Sequence, residues 1–366
     1  MNKTKIKNIF AILILILAIL KFYSVFFAFE SFSKIIMLIS LGLASLLILD
    51  SRKSYNILHM SIILISLAQF LIAKNITMFY TIYLCMAFID IDFKMIAKVF
   101  IVANCILFAI YLLLNLVGIY PTQYLEGRND FGFGNPNSAF ICMFLIWSSF
   151  FYIINEKGKK LDYILLFLLI FVTYVQTETR TGLLAAIATI IFYFILKKVD
   201  ISNKKIATLI SIIPIIGALT SIILAVFVYD NYFINSILSS RPLYWNAYIM
   251  HPTFGLNLFG YAANIREYLF TTRTPMDSGY MWGLYSQGIM AFSALVIGIA
   301  ISMYSLCKKN KKSELLLLVS ILVYCFAESI LLDISTNIGL ILMVQNLDIL
   351  NYSNLSISRL KAKNRN

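Results

Sequence analysis

The sequence predicts an all-α polytopic membrane protein, and its composition is the first reason. Of its 366 residues, 61% are hydrophobic and only 13% are charged, and the mean hydropathy is +0.86. Soluble globular proteins carry about 25% charged residues, roughly twice this fraction. Apolar runs also recur along the whole chain, close to the ~20 residues that a membrane-crossing helix requires. Residues 1–366 are therefore expected to form a single transmembrane domain.

Twelve apolar segments are predicted to be helices. The first follows Lys3, Lys5 and Lys7, and because no small-residue cleavage site comes after it, we interpret it as an uncleaved anchor. The segment at 76–90 is short enough to be partly re-entrant, and the last two segments are separated only by the sequence ESILLD. The predicted helices span 8–29, 35–49, 55–73, 76–90, 95–119, 138–154, 161–176, 181–196, 206–229, 279–306, 313–328 and 334–348.

The distribution of basic residues predicts the orientation. Cytoplasmic loops of membrane proteins carry an excess of lysine and arginine, so the basic loops and both termini are predicted to be cytoplasmic, in a cell membrane. The formal net charge of +13 then has a topological cause and does not indicate nucleic-acid binding. The basic loops contain Arg52/Lys53, Lys94/Lys98, Lys157/Lys159/Lys160, Lys197/Lys198/Lys204/Lys205 and Lys308/Lys309/Lys311/Lys312.

Three polar segments are then predicted to face outward. They are EGRNDFGFGNPNSAF (126–140), QTETRTG (176–182) and a long extracytoplasmic loop, 230–278, expected to contain short helices and part of an active site. Arginine is concentrated in these segments, whereas the basic loops are mostly lysine. A planar guanidinium group can hold phosphate through two parallel hydrogen bonds, which suits it to binding a phosphorylated substrate.

Arg128 precedes a predicted helix in the first polar segment. Pro136 keeps Asn135 extended, and Asn137 or Ser138 is predicted to cap the helix. A turn with a helix cap explains the asparagines without any ligand. An arginine beside the positive end of a helix dipole, however, is favourable only when an anion binds there.

Two more arginines lie at predicted helix starts. Arg180 follows a tight loop near the bilayer surface, where arginines are usually functional, although a local ion pair with Glu178 is the structural alternative. Arg241 comes directly after Ser239 and Ser240, either of which could cap the helix that follows. The three arginines thus share one sequence context.

The long loop holds the remaining candidates. Tyr244, Trp245 and Tyr248 recur at helical spacing, a pattern typical of packing or an interfacial belt and also compatible with stacking on sugars. His251 lies at the end of that helix, where an imidazolium complements the dipole, and catalysis is the alternative. Asp277 is predicted to cap the tenth span, or to act as a general base at the mouth of a cavity.

No metal or cofactor site is predicted. Asp90 and Asp92 have the spacing of a metal–nucleotide site, but they lie in a short loop on the predicted cytoplasmic side and are interpreted as a solvated turn. No helix carries histidine and carboxylate at metal-binding spacing, and the sequence contains neither a P-loop nor a GxSxG motif.

In the order and sidedness of these parts the chain resembles the Wzy-type polysaccharide polymerases of the O-antigen ligase and polymerase superfamily. The helical layout matches along nearly the full chain. The matching motifs are RNDFGFGNPN before a span, TETRTGLLA at a helix junction, RPLYWNAYIMHPTFGLNLFGY in the long loop and MDSGYMWGLYSQGI at the next span. The related ligases place a histidine before that span, where this sequence has Asp277.

The resemblance implies a GT-C-like fold and an inverting, metal-independent glycosyltransferase for capsule or exopolysaccharide synthesis. A growing glycan would pass from undecaprenyl pyrophosphate to a lipid-linked repeat unit on the outer face of the cytoplasmic membrane. A chain-length regulator and a flippase would be partners. The resemblance gives the role of holding pyrophosphate to Arg128, Arg180 and Arg241, whereas His251 does not occupy a motif position. With the candidates from the residue patterns, the predicted catalytic residues are Asp277, Arg180 and Arg241, and the predicted substrate-binding residues are Arg128, Asn135, Asn137, Glu178, Tyr244, Trp245, His251, Arg273 and Tyr280.

Three alternatives stay open. A flippase or other transporter of lipid-linked oligosaccharide would also need positive charge, although transporters often show internal repeats and helices broken at mid-membrane. The sequence shows no repeat, and its irregular residues are predicted to be confined to the outer face, with Pro214 the one buried proline. A membrane acyltransferase would be expected to carry a catalytic histidine, and only His59 and His251 exist. An O-antigen-ligase-like transferase to another acceptor is separated from a polymerase only by the resemblance.

Overall fold

The computed structural model is mostly helical and describes residues 3–27, 30–155, 158–265, 269 and 275–348. Within these residues, eight helical segments are long and apolar enough to cross a membrane, with Lys204–Phe227 counted as one segment. The chain is therefore an all-α, multi-pass membrane protein. In chain order the elements are α1 (Lys3–Phe26), α2 (Glu30–Asp50), α3 (Ile57–Ala73), α4 (Thr77–Ala87), α5 (Phe93–Leu116), β1 (Tyr124–Leu125), β2 (Arg128–Asn129), α6 (Pro136–Ile154), α7 (Lys160–Thr177), α8 (Arg180–Lys198), α9 (Lys204–Ser211), α10 (Ile213–Phe227), α11 (Tyr232–Ile237), α12 (Arg241–Ile249), α13 (Gly279–Lys308), α14 (Lys312–Tyr324) and α15 (Gly339–Gln345).

Each of the twelve predicted segments contains a helix, but several are shorter than predicted. Helix α4 has 11 residues and α15 has 7. At about 1.5 Å per residue, neither reaches across a hydrocarbon core of about 30 Å. An apolar run does not distinguish a helix that crosses the lipid from a segment buried inside the protein, which is why these two helices are shorter than predicted. Twelve crossings therefore stay a prediction.

Two helices are interrupted, so the expectation that irregular backbone is confined to one face is wrong. The segment predicted at 206–229 divides at Ile212 into α9 and α10, just before Pro214. Helix α13 is broken at Gly288, which has a φ of 78°. The free backbone groups at that break pair with the long loop, since Ile289 N donates to Asn257 O (3.1 Å) and Tyr261 N donates to Ser286 O (3.0 Å).

The residues between α14 and α15, 325–338, form a buried segment without regular helix. Their carbonyls are satisfied by other parts of the fold: Gly279 N donates to Cys325 O (2.7 Å), and Thr81 Oγ1 donates to Leu332 O (2.7 Å). On the first helix, Lys21 Nζ lies 3.6 Å from an Asp333 carboxylate oxygen. Irregular backbone in a membrane protein requires this kind of internal satisfaction. This 325–338 segment carries Glu328, a residue of the site described below.

The Asp90/Asp92 pair belongs to an ordinary helix start. Asp92 is the N-cap of α5 and accepts hydrogen bonds from the backbone N–H groups of Lys94 (3.3 Å) and Met95 (3.1 Å). Asp90 accepts one from Ser54 Oγ (2.7 Å). Among the described residues, no group of three or more His, Cys, Asp or Glu side chains could hold a metal ion.

Candidate active site

A polar cavity of about 660 Å³ lies where α7 ends and α8 begins, and we call this side of the bundle the cavity end. Residues far apart in sequence converge on it from the hairpin before α6, the α7–α8 turn, and the starts of α12 and α13. Arg128, Arg180, Arg241 and Asp277 all contribute to its wall. The complete lining is Leu125, Glu126, Arg128, Asn135, Pro136, Asn137, Glu178, Thr179, Arg180, Thr181, Ser239, Arg241, Pro275 and Asp277.

A short β-hairpin presents Arg128 to the cavity. Its two turn residues, Glu126 and Gly127, have φ angles of 55° and 81°, the left-handed conformation that two-residue hairpin turns require. The loop that follows is organised by Asp130, which is fully buried. Its carboxylate accepts hydrogen bonds from the backbone N–H groups of Gln123 (2.8 Å), Gly132 (2.8 Å) and Gly134 (3.0 Å). A buried carboxylate with three donors holds this loop in one conformation.

Arg128 connects three parts of the cavity wall. Its Nε donates to Thr177 O (2.9 Å) at the end of α7, and its Nη2 donates to Asn137 Oδ1 (2.7 Å) in α6 and to Thr179 Oγ1 (3.5 Å). The cap of α6 is Asn135, whose side chain accepts from Asn137 N (2.8 Å), with Pro136 as the first helical residue. The prediction that Asn137 or Ser138 caps this helix is therefore wrong, and Asn137 instead holds the guanidinium group.

Arg180 is the first residue of α8, as predicted, and its side chain is exposed in the cavity. Glu178 ends α7 in a left-handed conformation, with a φ of 46°. The local ion pair between Glu178 and Arg180 does not form. Among the described residues, Arg180 has neither an ion-pair partner nor a side-chain hydrogen bond. Its charge, at the positive end of a helix dipole, is therefore available to an anion.

Arg241 is the first residue of α12 and is only 8% exposed. Ser239 and Ser240 before it both have positive φ, 54° and 58°, and neither hydroxyl caps the helix, contrary to prediction. Arg241 Nη2 lies 3.6 Å from Glu328 Oε1, and its Nε has no hydrogen-bond partner in the described part of the chain. This distance is longer than a hydrogen bond, so the buried guanidinium group is only partly compensated.

Glu328 is a residue of this site that the sequence did not reveal. It is 4% exposed, accepts a hydrogen bond from Thr181 Oγ1 (3.5 Å), and belongs to the 325–338 segment, outside the helices that can cross the membrane. Burial raises the pKa of its carboxyl to about 8, and the nearby Asp277 carboxylate acts in the same direction, against the opposing effects of Arg241, Thr181 and Arg128. Glu328 lies in the stretch ESILLD, which was interpreted only as a connection between two helices.

The raised pKa of Glu328 predicts how stability changes with pH. The folded protein keeps a proton on this carboxyl that the unfolded chain releases near pH 4.5. Its contribution to the free energy of unfolding is therefore complete below pH 4.5 and is lost as the pH rises to about 8. We expect Glu328→Gln to show a flatter pH dependence of the unfolding temperature over this range. Glu178→Gln, which changes an exposed carboxylate of the same cavity, is the control, and equal slopes in both variants would contradict the prediction.

Asp277 lines the cavity but does not cap α13. The cap is Ser278, whose Oγ accepts a hydrogen bond from Met281 N (3.3 Å). The capping interpretation of Asp277 is therefore wrong, and the carboxylate has a place beside the arginines. Its influence on the pKa of Glu328 shows that the two carboxyl groups belong to one electrostatic cluster.

Some of the predicted substrate-binding aromatic residues lie outside the cavity lining. Trp245 is fully buried and packs edge to face on Phe326, with ring centroids 5.9 Å apart, so it cannot stack on a sugar. Tyr280 is 2% exposed and donates to Leu322 O (3.2 Å). Tyr244 is half-buried and is not part of the lining. The structure therefore corrects the predicted substrate-binding role of Trp245 and Tyr280, because both side chains are packed in the protein interior.

His251 and Arg273 complete the predicted set. The Nδ1 of His251 accepts hydrogen bonds from the backbone N–H groups of Thr253 (3.3 Å) and Phe254 (3.1 Å), and the residue is not part of the cavity lining. His251 therefore stabilises the turn after α12 by accepting these hydrogen bonds, which differs from the predicted interaction of an imidazolium with the helix dipole. Arg273 lies outside the described residues.

Two glycines in the loop after Arg128 are expected to differ in how much stability is lost when each is replaced by alanine. Gly132 and Gly134 both have positive φ, 81° and 70°, so alanine at either should cost roughly 1–2 kcal/mol. At Gly132 an added Cβ would also lie 2.5 Å from Tyr120 O, whereas at Gly134 it would meet nothing within 4 Å. We expect Gly132→Ala to be less stable than Gly134→Ala by a further ~1–3 kcal/mol. Unfolding in detergent measures this difference, and equal losses would show that the loop can adjust.

No protein-family model matches the sequence, and no curated protein or solved structure is significantly similar to it. The fold and the cavity therefore give the class of the protein: a multi-pass membrane protein with a polar cavity at one end of its helices. Three arginines and three carboxylates, Glu126, Glu178 and Asp277, line this cavity. Such a cavity suits a substrate that carries both negative charge and hydroxyl groups.

Proposed function

We propose that the protein is a glycosyltransferase that polymerises lipid-linked oligosaccharide repeat units, as its resemblance to the Wzy-type polymerases implies. The observation that carries this proposal is the convergence of Arg128, Arg180, Arg241 and Asp277 on one cavity. A diphosphate needs several cationic donors held in fixed positions, and the reaction needs a proton acceptor beside them. The proposed orientation places this cavity on the outer face of the cell membrane and both termini in the cytoplasm.

In the proposed reaction, a hydroxyl oxygen of the acceptor repeat unit attacks the anomeric carbon of the donor glycan from the face opposite the leaving group. The bond between that carbon and the phosphate oxygen breaks, and its electron pair leaves with undecaprenyl pyrophosphate. Asp277 takes the proton of the attacking hydroxyl group. The anomeric configuration is therefore inverted, and the glycan grows by one repeat unit.

The arginines differ in the part they play. Arg128 is fixed by hydrogen bonds to Thr177 and Asn137, so it offers a preorganised charge. Arg180 is exposed and has no ion-pair partner within the described part of the chain, and it can turn towards the diphosphate. Together they stabilise the negative charge that grows on the leaving group, a task often given to a divalent cation. Glu178, Asn135 and Asn137 also line the cavity and are proposed to contact the substrate.

An apolar groove supplies a place for a prenyl tail. This groove, of about 410 Å³, is lined by residues of α5, α6 and α7 and by Phe131. Phe131 lies three residues from Arg128, and the groove also reaches Thr173 in α7, one turn before Thr177, the residue that Arg128 contacts. A lipid in this groove would therefore have its head group beside the arginines.

A flippase for the same lipid-linked substrate is the second candidate, and the broken helices favour it. Transporters often bind substrate at helix breaks near mid-membrane. The break before Ile213 and the break at Gly288 are helix breaks within apolar segments, but neither residue lines the polar cavity. A ligase-like transferase to another acceptor would use the same chemistry. An acyltransferase is disfavoured because His59 is buried and contacts Asn56 and the Val344 carbonyl, while His251 stabilises a turn.

Purified protein in liposomes with lipid-linked repeat units tests the proposal. A polymerase produces a ladder of glycans that increase by one repeat unit. A flippase instead makes the substrate accessible on the opposite leaflet without chain growth. Translocation without a ladder would overturn the proposal in favour of the second candidate.

A further inference from the structure

A second groove lies at the end of the bundle opposite the cavity. It has a volume of about 460 Å³, within the range of ligand pockets, and is formed by α6, α7 and α8. Because α7 ends and α8 begins at the cavity end, Lys160 at the start of α7 and Lys197 near the end of α8 lie at the other end. Both lysines line this groove, which we call the basic groove.

The two lysines carry uncompensated charge. Both are exposed, and among the described residues neither has an ion-pair partner within 4 Å. The nearest acid in sequence, Asp162, accepts a hydrogen bond from the backbone N–H of Lys159 (2.7 Å) and is not part of the lining. Lys197 Nζ lies 4.3 Å from the centroid of the Tyr193 ring, which turns it towards the groove.

Trp147 lies in the wall of the groove and has a buried polar atom there. Its side chain lines the groove and is 2% exposed, and its indole Nε1 has no hydrogen-bond partner among the residues that the structure describes. A buried N–H donor without a partner is costly. At about 1.5 Å per residue, Trp147 lies about one and a half to two helical turns from the end of α6, on the apolar side of the lysines.

The remaining surface of the groove is apolar and opens outward. Phe167 and Phe194 are 59% and 55% exposed, and Tyr163 and Tyr193 also line the groove within one helical turn of Lys160 and Lys197. Tyrosine and tryptophan at this depth are typical of the membrane–water interface. The groove therefore changes along its length from charged to aromatic to aliphatic, which matches the head, backbone and chain of a lipid.

We propose that the basic groove binds one anionic glycerophospholipid, with its phosphate beside Lys160 and Lys197 and an acyl chain along Phe167 and Phe194. Basic pockets between helices on the cytoplasmic side of membrane proteins bind anionic lipid head groups. A zwitterionic lipid would bring a second cation to the lysines, so the charge of the head group decides the preference. This site is separate from the polar cavity and does not rest on the proposed enzymatic function.

Tryptophan fluorescence tests the site directly. The chain has three tryptophans, and the signal of Trp147 is obtained by subtracting the spectrum of Trp147→Phe from that of the parent protein. In liposomes, a brominated phosphatidylglycerol is expected to quench this signal more strongly than a brominated phosphatidylcholine. With about 1 kcal/mol for each lysine, Lys160→Gln/Lys197→Gln should lower the relative affinity for phosphatidylglycerol roughly 30-fold.

The control is Lys159→Gln/Lys198→Gln, which removes the same charge at the same end from residues that do not line the groove. This control variant should keep most of the preference for phosphatidylglycerol over phosphatidylcholine. Equal quenching by the two lipids in the parent protein would overturn the proposal, and so would equal losses in the two double variants. Quenching by neither lipid would show that another surface, such as a second copy of the chain, covers the groove, and would also overturn it.

Discussion

Arg180→Ala is expected to lower the rate of glycan polymerisation by about 10²–10³-fold, the loss seen when one preorganised donor is removed from a developing negative charge. Arg180 is the cleanest arginine for this test because it has no ion pair and no side-chain hydrogen bond among the described residues. Its removal should change the free energy of unfolding by less than about 0.5 kcal/mol. The effect on rate can then be assigned to the substrate.

Two further variants sharpen this experiment. Arg180→Lys keeps the charge and loses the planar, two-pronged donor, so an intermediate rate is expected. Arg52→Ala removes an exposed arginine that does not line the cavity and should leave the rate unchanged. The measurement is the initial rate of ladder formation with purified protein. A normal ladder from Arg180→Ala would remove the central assignment of the proposed mechanism.

Asp277→Asn is expected to have the larger effect, a decrease of about 10²–10⁴-fold, if the carboxylate takes the proton of the attacking hydroxyl group. The substitution keeps the shape of the side chain, and the cap of α13 is unaffected because Ser278 provides it. The loss should appear in kcat more than in KM, since the proton is transferred only as the glycosidic bond forms.

Glu328→Gln tests which carboxyl group of the cluster, Asp277 or Glu328, accepts the proton. Glu328 does not line the cavity, and its carboxyl carries a proton below about pH 8. The amide should therefore retain most of the activity at neutral pH. Above pH 8, the ionised Glu328 competes with the diphosphate for Arg241, so the parent protein should lose activity there and Glu328→Gln should lose less. A large loss in Glu328→Gln together with a normal rate in Asp277→Asn would assign the proton acceptor to Glu328 instead.

Sequence patterns identified residues that line the polar cavity, but they overestimated the lengths of several helices. Arg128, Arg180 and Arg241 each precede a helix or a turn, a local arrangement that can be read directly from glycine, proline and polar residues. The cavity that unites them depends on how distant helices pack, and no local pattern contains that information. For the same reason Trp245 was grouped with possible sugar-stacking residues, although packing against Phe326 buries it completely.

Glu328 was missed for a different physical reason. A single carboxylate between two apolar segments looks like a solvent-exposed link, since charged residues are rarely buried alone. Here α14 ends at Tyr324, and the chain continues as a buried, irregular segment that places the carboxyl beside Arg241. The partners that make this burial possible, Thr181 and Arg241, come from α8 and α12, and so they lie far away in sequence.

The 325–338 segment also constrains how the protein is made. Its carbonyls are satisfied by Thr81 of α4 and Gly279 of α13, and its Asp333 lies beside Lys21 of α1. These partners are all synthesised earlier, so the segment can take its final path only after the preceding helices have been inserted and assembled. The acidic neighbour of Arg241 is therefore added only after these helices, and a nascent chain that stops before this segment lacks it.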